Sequence, residues 1–204
     1  MRRITGTTFT VTLLVFSGHA ASAGVLTFDD AYAALGQGGN PATYYSSEGV
    51  TISGTYFGLV GGVGNGDPGN WSLEGTNGSA FLGCNEGDSC SPTFTFTSPQ
   101  DVSLDIGFND GDSASFTVTG YLDSTPVGSE TLTITNPNTE TGTWDTFSLS
   151  GAVDEVVISS SGAGAYGVDN VNFTAAAPEP ASFSMLLLGA AGLGIGAYRR
   201  RRQN

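Results

Sequence analysis

The chain contains no lysine, and its six arginines stand only at the ends: Arg2 and Arg3 near the start, then Arg199, Arg200, Arg201 and Arg202 near the finish. The single histidine, His19, is also close to the N-terminus. Residues 24–177 therefore carry no basic side chain, yet all but Glu179 of the 19 acidic residues fall there. A domain without cations cannot neutralise phosphates, which argues against direct nucleic-acid binding. The lack of His and Lys also removes the ordinary imidazole base and amine nucleophile. Crowded carboxylates repel unless something offsets them, so the acidity either keeps the domain soluble or loads it with a divalent cation.

Cysteine is scarce as well. Cys84 and Cys90 enclose Asn85-Glu86-Gly87-Asp88-Ser89. In an exported chain this spacing predicts one disulfide closing a small loop. No histidine is at hand to complete a zinc site. Long amphipathic helical windows are missing too. Gly61-Gly62-Val63-Gly64-Asn65-Gly66-Asp67 lacks the Lys-Ser/Thr ending and the following helix of a phosphate loop, so it reads as a plain loop.

What the interior does contain is alternation of period two. It runs through Val50-Thr51-Ile52-Ser53, Thr93-Phe94-Thr95-Phe96-Thr97, Ser115-Phe116-Thr117-Val118-Thr119, Thr131-Leu132-Thr133-Ile134-Thr135 and Val156-Val157-Ile158. Turn clusters such as Asn109-Asp110-Gly111-Asp112 and Asn136-Pro137-Asn138 separate the runs. This pattern predicts an all-β, antiparallel β-sandwich over residues 24–175, with about ten short strands in a jelly-roll arrangement. The threonines are expected on the wet faces. Residues 32–66, rich in Gly, Ala, Ser and Asn, are expected to form long loops around one strand.

The two ends read as addresses. Met1-Arg2-Arg3, the apolar stretch 9–16 and the small-residue triplet Ala21-Ser22-Ala23 make residues 1–23 a signal peptide, cleaved between Ala23 and Gly24. At the far end, residues 181–198 carry no charge and run into the four arginines. As a helix this stretch reaches about 27 Å, enough to span a thin bilayer, and the arginines keep its end cytoplasmic. Pro178, Glu179 and Pro180 stand immediately before it; the prolines hold an extended, accessible strand.

Pro-Glu-Pro, a Gly/Ala/Leu-rich span and a basic terminus over residues 176–204 together resemble the PEP-CTERM sorting signal of Gram-negative bacteria. The resemblance implies an exosortase, a multi-span membrane cysteine protease, as processing partner. Pro178, Glu179 and Pro180 would be its recognition residues. It further implies a transient stay in the inner membrane, followed by delivery to the cell surface or the exopolysaccharide matrix.

For the domain itself, the layout is similar to jelly-roll carbohydrate-binding modules and galactose-binding-like domains. Many of these hold structural calcium near the chain ends, which implies calcium at Asp29, Asp30 and Asp169. Tyr44, Tyr45 and Trp71 are the expected exposed sugar-stacking residues, with Tyr56 and Tyr166 as further candidates, whereas Trp144 is expected to pack in the core. Three functional readings follow: a non-enzymatic surface or matrix protein, a carbohydrate-binding adhesin, and a small carboxylate-dependent glycosidase.

Overall fold

The computed structural model of the chain describes residues 23–61, 80–84, 90–108, 113–135, 142–161 and 165–175. Nine strands lie among them: β1 Gly24–Leu26, β2 Val50–Thr55, β3 Gly58–Gly61, β4 Ala80–Cys84, β5 Ser91–Phe108, β6 Ser113–Leu122, β7 Thr125–Thr135, β8 Thr143–Ser161 and β9 Tyr166–Ala175. One helix, α1 Asp29–Leu35, and a 3-10 turn, Ser46–Glu48, complete the described elements. Every strand pairing is antiparallel.

The strand order is β3-β4-β9-β5-β8-β6-β7, with β1 added beside β9 and β2 beside β5. Two long strands turn this path into two layers. The first half of β5 pairs with β2 and with the second half of β8; its second half pairs with β9 and the first half of β8. The register breaks between Thr95 and Gln100 and again between Gln100 and Val102. Pro99 stands in that break, where its missing N–H costs no ladder bond. Gly151 lies at the facing break in β8 with φ 113, a conformation that L side chains rarely adopt.

Both strands therefore pass from one layer to the other at this point. Layer one is β3-β4-β9-β5-β8 with β1, and layer two is β2-β5-β8-β6-β7. Their stacking is visible in side chains that reach from a strand segment of one layer to one of the other. Phe116 on β6 meets Tyr166 on β9 at 5.1 Å between ring centroids, and Phe96 on β5 meets Phe173 on β9 at 5.7 Å. The alternation is the cause: Phe94, Val102, Leu104, Ile106, Phe116 and Val118 all turn inward into one contiguous core. At about 25 cal/mol per Å² this burial is the dominant stabilising term.

The expectation for residues 32–66 is corrected in part. They hold the end of α1, the 3-10 turn and two strands, β2 and β3, rather than loops around a single strand. The β3 stretch, Gly58-Leu59-Val60-Gly61, is buried on both faces, so it shows no alternation to betray it. The turn into α1 is made by Phe28 at φ 62, an uncommon conformation costing about 1–2 kcal/mol. Its ring is wholly buried and meets Tyr45 edge-on at 5.9 Å, which holds the turn in place.

Cys84 and Cys90 form the disulfide expected from their spacing. It ties the end of β4 to the residue before β5. Among the described residues no helix is long and apolar enough to cross a membrane. The expected helix at 181–198, the sorting residues Pro178, Glu179 and Pro180, the arginine tail and residues 1–22 of the signal peptide, Ala21 among them, lie outside the described residues.

Candidate functional site

A concentration of acidic and amide side chains lies on the outer face of layer one. Strand alternation sends Asp101, Ser103, Asp105 and Gly107 of β5 to this face. Their partners on β9 are Thr174, Asn172, Asp169 and Gly167. On β8 the partners are Ser148, Thr146 and Trp144, opposite Ser103, Asp105 and Gly107.

One end of the face is apolar. Gly107 and Gly167 stand opposite each other, and aromatic rings lie flat against both. A Cβ added to Gly107 would come within 2.5 Å of the Trp144 indole, and one on Gly167 within 2.5 Å of the Phe81 ring. The two rings meet edge-on at 5.9 Å, with Val60 completing a small second core. Trp144 thus packs against core residues, as expected, but half-buried and in this small cluster on the outside of the sandwich. Its indole N–H is buried without a hydrogen-bond partner among the described residues.

The next row is acidic. Asp105 accepts hydrogen bonds from the Thr146 hydroxyl at 2.7 Å and the Asn170 amide at 2.8 Å. Asp169 is wholly buried and accepts the backbone N–H of Asn170 at 2.7 Å. Facing carboxylates repel, and these donors offset part of that repulsion. A register shift between Ser103 and Asp105 leaves one extra residue on β9. Asn170, at φ 46, occupies this bulge, which re-aims its side chain toward Asp105. The rows beyond are neutral except for Asp101. Here Asp101, Ser103, Ser148, Asn172 and Thr174, together with Val102, Leu149 and Gly151, surround a shallow depression of about 460 Å³. Asp101 accepts the Gly151 N–H at 3.1 Å, and the Asn172 amide donates to the Asn170 carbonyl at 2.7 Å.

The residues singled out from the sequence lie elsewhere. The first and last strands do pair, Gly24 opposite Phe173. Yet Asp29 and Asp30 turn away from that pair into the first turn of α1. Asp29 accepts the Ala80 N–H at 3.0 Å and Asp30 accepts the Tyr45 hydroxyl at 2.8 Å, so both pin local structure, while Asp169 faces Asp105. Among the described residues no three His, Cys, Asp or Glu side chains are grouped to hold a metal ion.

Tyr44 is exposed as expected, but Tyr45 is only 2% exposed, which corrects its assignment to a sugar-stacking surface. Its ring packs between Phe28 and Tyr44, and burial together with the Asp30 hydrogen bond pushes its phenol above the ordinary range. Tyr166 is likewise buried, its phenol pushed up by burial. Tyr56 donates to the Asn40 side chain at 2.8 Å. Trp71 lies outside the described residues.

The outer-face groove went unnoticed in the sequence, although Asp101, Ser103 and Asp105 alternate there with Val102, Leu104 and Ile106. Alternation says they share a face; only the pairing of β5 with β8 and β9 says what stands beside them.

Comparison with known proteins bears on the other end of the chain. Residues 176–202 match the PEP-CTERM protein-sorting motif. The chain thus carries this sorting signal directly after its β-sandwich-like domain. No curated protein matches the sequence at a significant level. Among solved structures, similarity is found to a truncated AlyQ with CBM32 and alginate lyase domains, at 16% identity and a TM-score of 0.33, covering 64% of this chain and 35% of that one. The CBM22-1–GH10 modules of the Clostridium thermocellum endo-1,4-beta-D-xylanase 10B, complexed with xylohexaose, give 14% identity and a TM-score of 0.37, covering 63% and 25%. The CBM32 of AlyQ in complex with 4,5-unsaturated mannuronic acid gives 16% and 0.32, covering 59% and 95%. This chain thus spans only about a third and a quarter of the first two proteins. Likeness at this level assigns no function.

Proposed function

We propose that this is an exported, non-enzymatic surface protein. An exosortase processes it at Pro178-Glu179-Pro180, and the apolar stretch that follows holds it in the inner membrane until then. The acidic sandwich is delivered to the cell surface or to the extracellular polysaccharide matrix of a Gram-negative bacterium. The observation that carries this reading is the sorting motif at residues 176–202, placed directly behind a folded, cation-free domain. A structural role is supported by the chemistry the domain lacks. Residues 24–177 have neither His nor Lys, and both cysteines are bound in a disulfide. The facing carboxylates Asp105 and Asp169 suit glycoside hydrolysis poorly, because Asp169 is fully buried and already accepts a backbone hydrogen bond.

Intact-mass analysis of the cell-associated and released protein tests the proposal. The expected masses correspond to cleavage between Ala23 and Gly24 and to loss of the segment after the Pro-Glu-Pro motif. An intact C-terminus in cells that possess an exosortase defeats it.

A second reading, sugar binding, is favoured by the groove on layer one, where Asp101, Asn172 and serine hydroxyls surround a depression of ligand size. Because the domain has no cation, its ligand would be a neutral or amino sugar. Glycan-array binding that is lost in Asp101→Ala and Asn172→Ala supports this reading. Binding that survives both substitutions removes it.

A further inference from the structure

The outer face of layer two differs from that of layer one in carrying little charge, with Glu155 of β8 standing opposite Thr95 and Tyr121. Its surface is a lattice of hydroxyls. Ser113 and Thr135, Ser115 and Thr133, and Thr117 and Thr131 face each other across β6 and β7 with their side-chain oxygens 2.9, 2.8 and 2.8 Å apart. Thr119 and Ser129 continue the ladder at 3.4 Å. On the other side of β6 the rows extend onto β8, where Ser159 is opposite Thr117 and Ser161 opposite Ser115. Between residues 113 and 135 the only acidic residues are Asp123, at the hairpin turn, and Glu130. Glu130 points the other way, accepting the Ser148 N–H at 2.7 Å.

We propose that this face, on β6, β7 and the end of β8, binds ice. Neighbouring strands are about 4.8 Å apart and same-face residues on one strand about 6.7 Å, so the ladder is a near-rectangular net of hydroxyls, with methyls from each threonine. That net is close to the repeat of oxygen atoms on the prism faces of ice. Each hydroxyl pair spends one donor on its neighbour and leaves one O–H and several lone pairs directed outward. The mutual bonds also fix the rotamers, so ordering costs little when a rigid lattice arrives.

The same features select against other occupants. The four hydroxyl rows offer no aromatic ring for a sugar to stack on, Tyr121 standing beyond them at the hairpin end of β6, and no concavity to enclose one. Tyr121 at its margin is the one residue on β6 or β7 of the Trp, Tyr and Arg types on which protein interfaces depend. The hydroxyl rows themselves carry no charge, Glu155 lying beyond them opposite Tyr121, and an uncharged periodic surface complements a neutral periodic one. Strand twist limits the match to two or three strands, the extent of the ladder. This inference stands apart from the sorting and groove readings.

The test is partition of the exported, processed protein into slowly growing ice, together with inhibition of ice recrystallisation. Thr117→Tyr and Thr133→Tyr place an outward-pointing bulk on the ladder while keeping good strand formers. Leu35→Tyr, exposed on α1, serves as control. The expected result is that wild type and Leu35→Tyr enter the ice, while each ladder variant partitions about tenfold less, a loss of about 1.4 kcal/mol, with unchanged circular-dichroism melting. Exclusion of the wild type from ice overturns the proposal, as do correctly folded ladder variants that partition like wild type. Exclusion from ice together with binding to microcrystalline cellulose that the same variants lose also overturns it, and reassigns the face to polysaccharide.

Discussion

The aromatic end of the layer-one face rests on two glycines, and the packing there makes a sharp prediction for Gly107→Ala. The added Cβ would meet the Trp144 indole at 2.5, 2.6 and 2.7 Å from three ring atoms, well inside van der Waals contact. The indole is rigid and backed by Phe81 at 5.9 Å, so it cannot yield by a small rotation. Overpacking of this kind costs about 1–3 kcal/mol. Taking about 2 kcal/mol, the Tm of a domain this size falls by about 4–8 °C. Gly128→Ala is the matched control. Gly128 also sits in a strand, but a Cβ there meets nothing within 4 Å. That variant is expected to be neutral or to gain about 0.4–1 kcal/mol by restricting the unfolded chain. In a Trp71→Phe background the remaining indole emission reports Trp144 alone, since the chain has two tryptophans. Gly107→Ala should shift that emission to the red as the ring is pushed toward water. Adding Trp144→Ala removes the clash, so the two substitutions should cost about 1–2 kcal/mol less together than the sum of their separate costs. Simple additivity, or a Gly107→Ala variant as stable as wild type, would refute the packing described here.

Two further outcomes are expected. Replacing both Cys84 and Cys90 by Ala opens a loop whose ends are six positions apart, for which chain entropy gives a loss of about 2 kcal/mol, measurable as a lower urea midpoint against the unreduced wild type. Tyr45→Phe removes the hydrogen bond to Asp30, costing about 1.5 kcal/mol at neutral pH in chemical denaturation. Because the folded-state pKa of Tyr45 is raised above its ordinary value of 10.0, its contribution is complete below pH 10 and lost as pH climbs above it. The variant should therefore lose stability less steeply than wild type in alkali, Tyr166 supplying part of the remaining slope.

Much of this protein is legible in its amino-acid order, for a local reason. Alternation of apolar and hydroxyl side chains is a property of one strand at a time, so it announces β5, β6 and β7 and places the threonines of β6 and β7 on a wet face. The disulfide is legible because the two cysteines stand only six positions apart, so a single turn of a short loop suffices to bring them together. The sorting motif is legible because it is a linear pattern, matched over residues 176–202 without reference to any fold.

What escapes the sequence is adjacency. That Asp29 and Asp30 turn away from the β1–β9 pair follows from the left-handed conformation of Phe28, a residue type that seldom adopts it. That Tyr45 is buried while Tyr44 stays exposed depends on Phe28 and Asp30 arriving beside it. Asp105 meets Asp169, and Ser115 meets Thr133, only because particular strands hydrogen-bond in a particular register. A shift of one residue would send each of these side chains to the opposite face. Composition and pattern decided that the domain is an acidic, cation-free sandwich bound for export. Tertiary pairing alone decided that one of its faces carries a groove and the other a hydroxyl lattice.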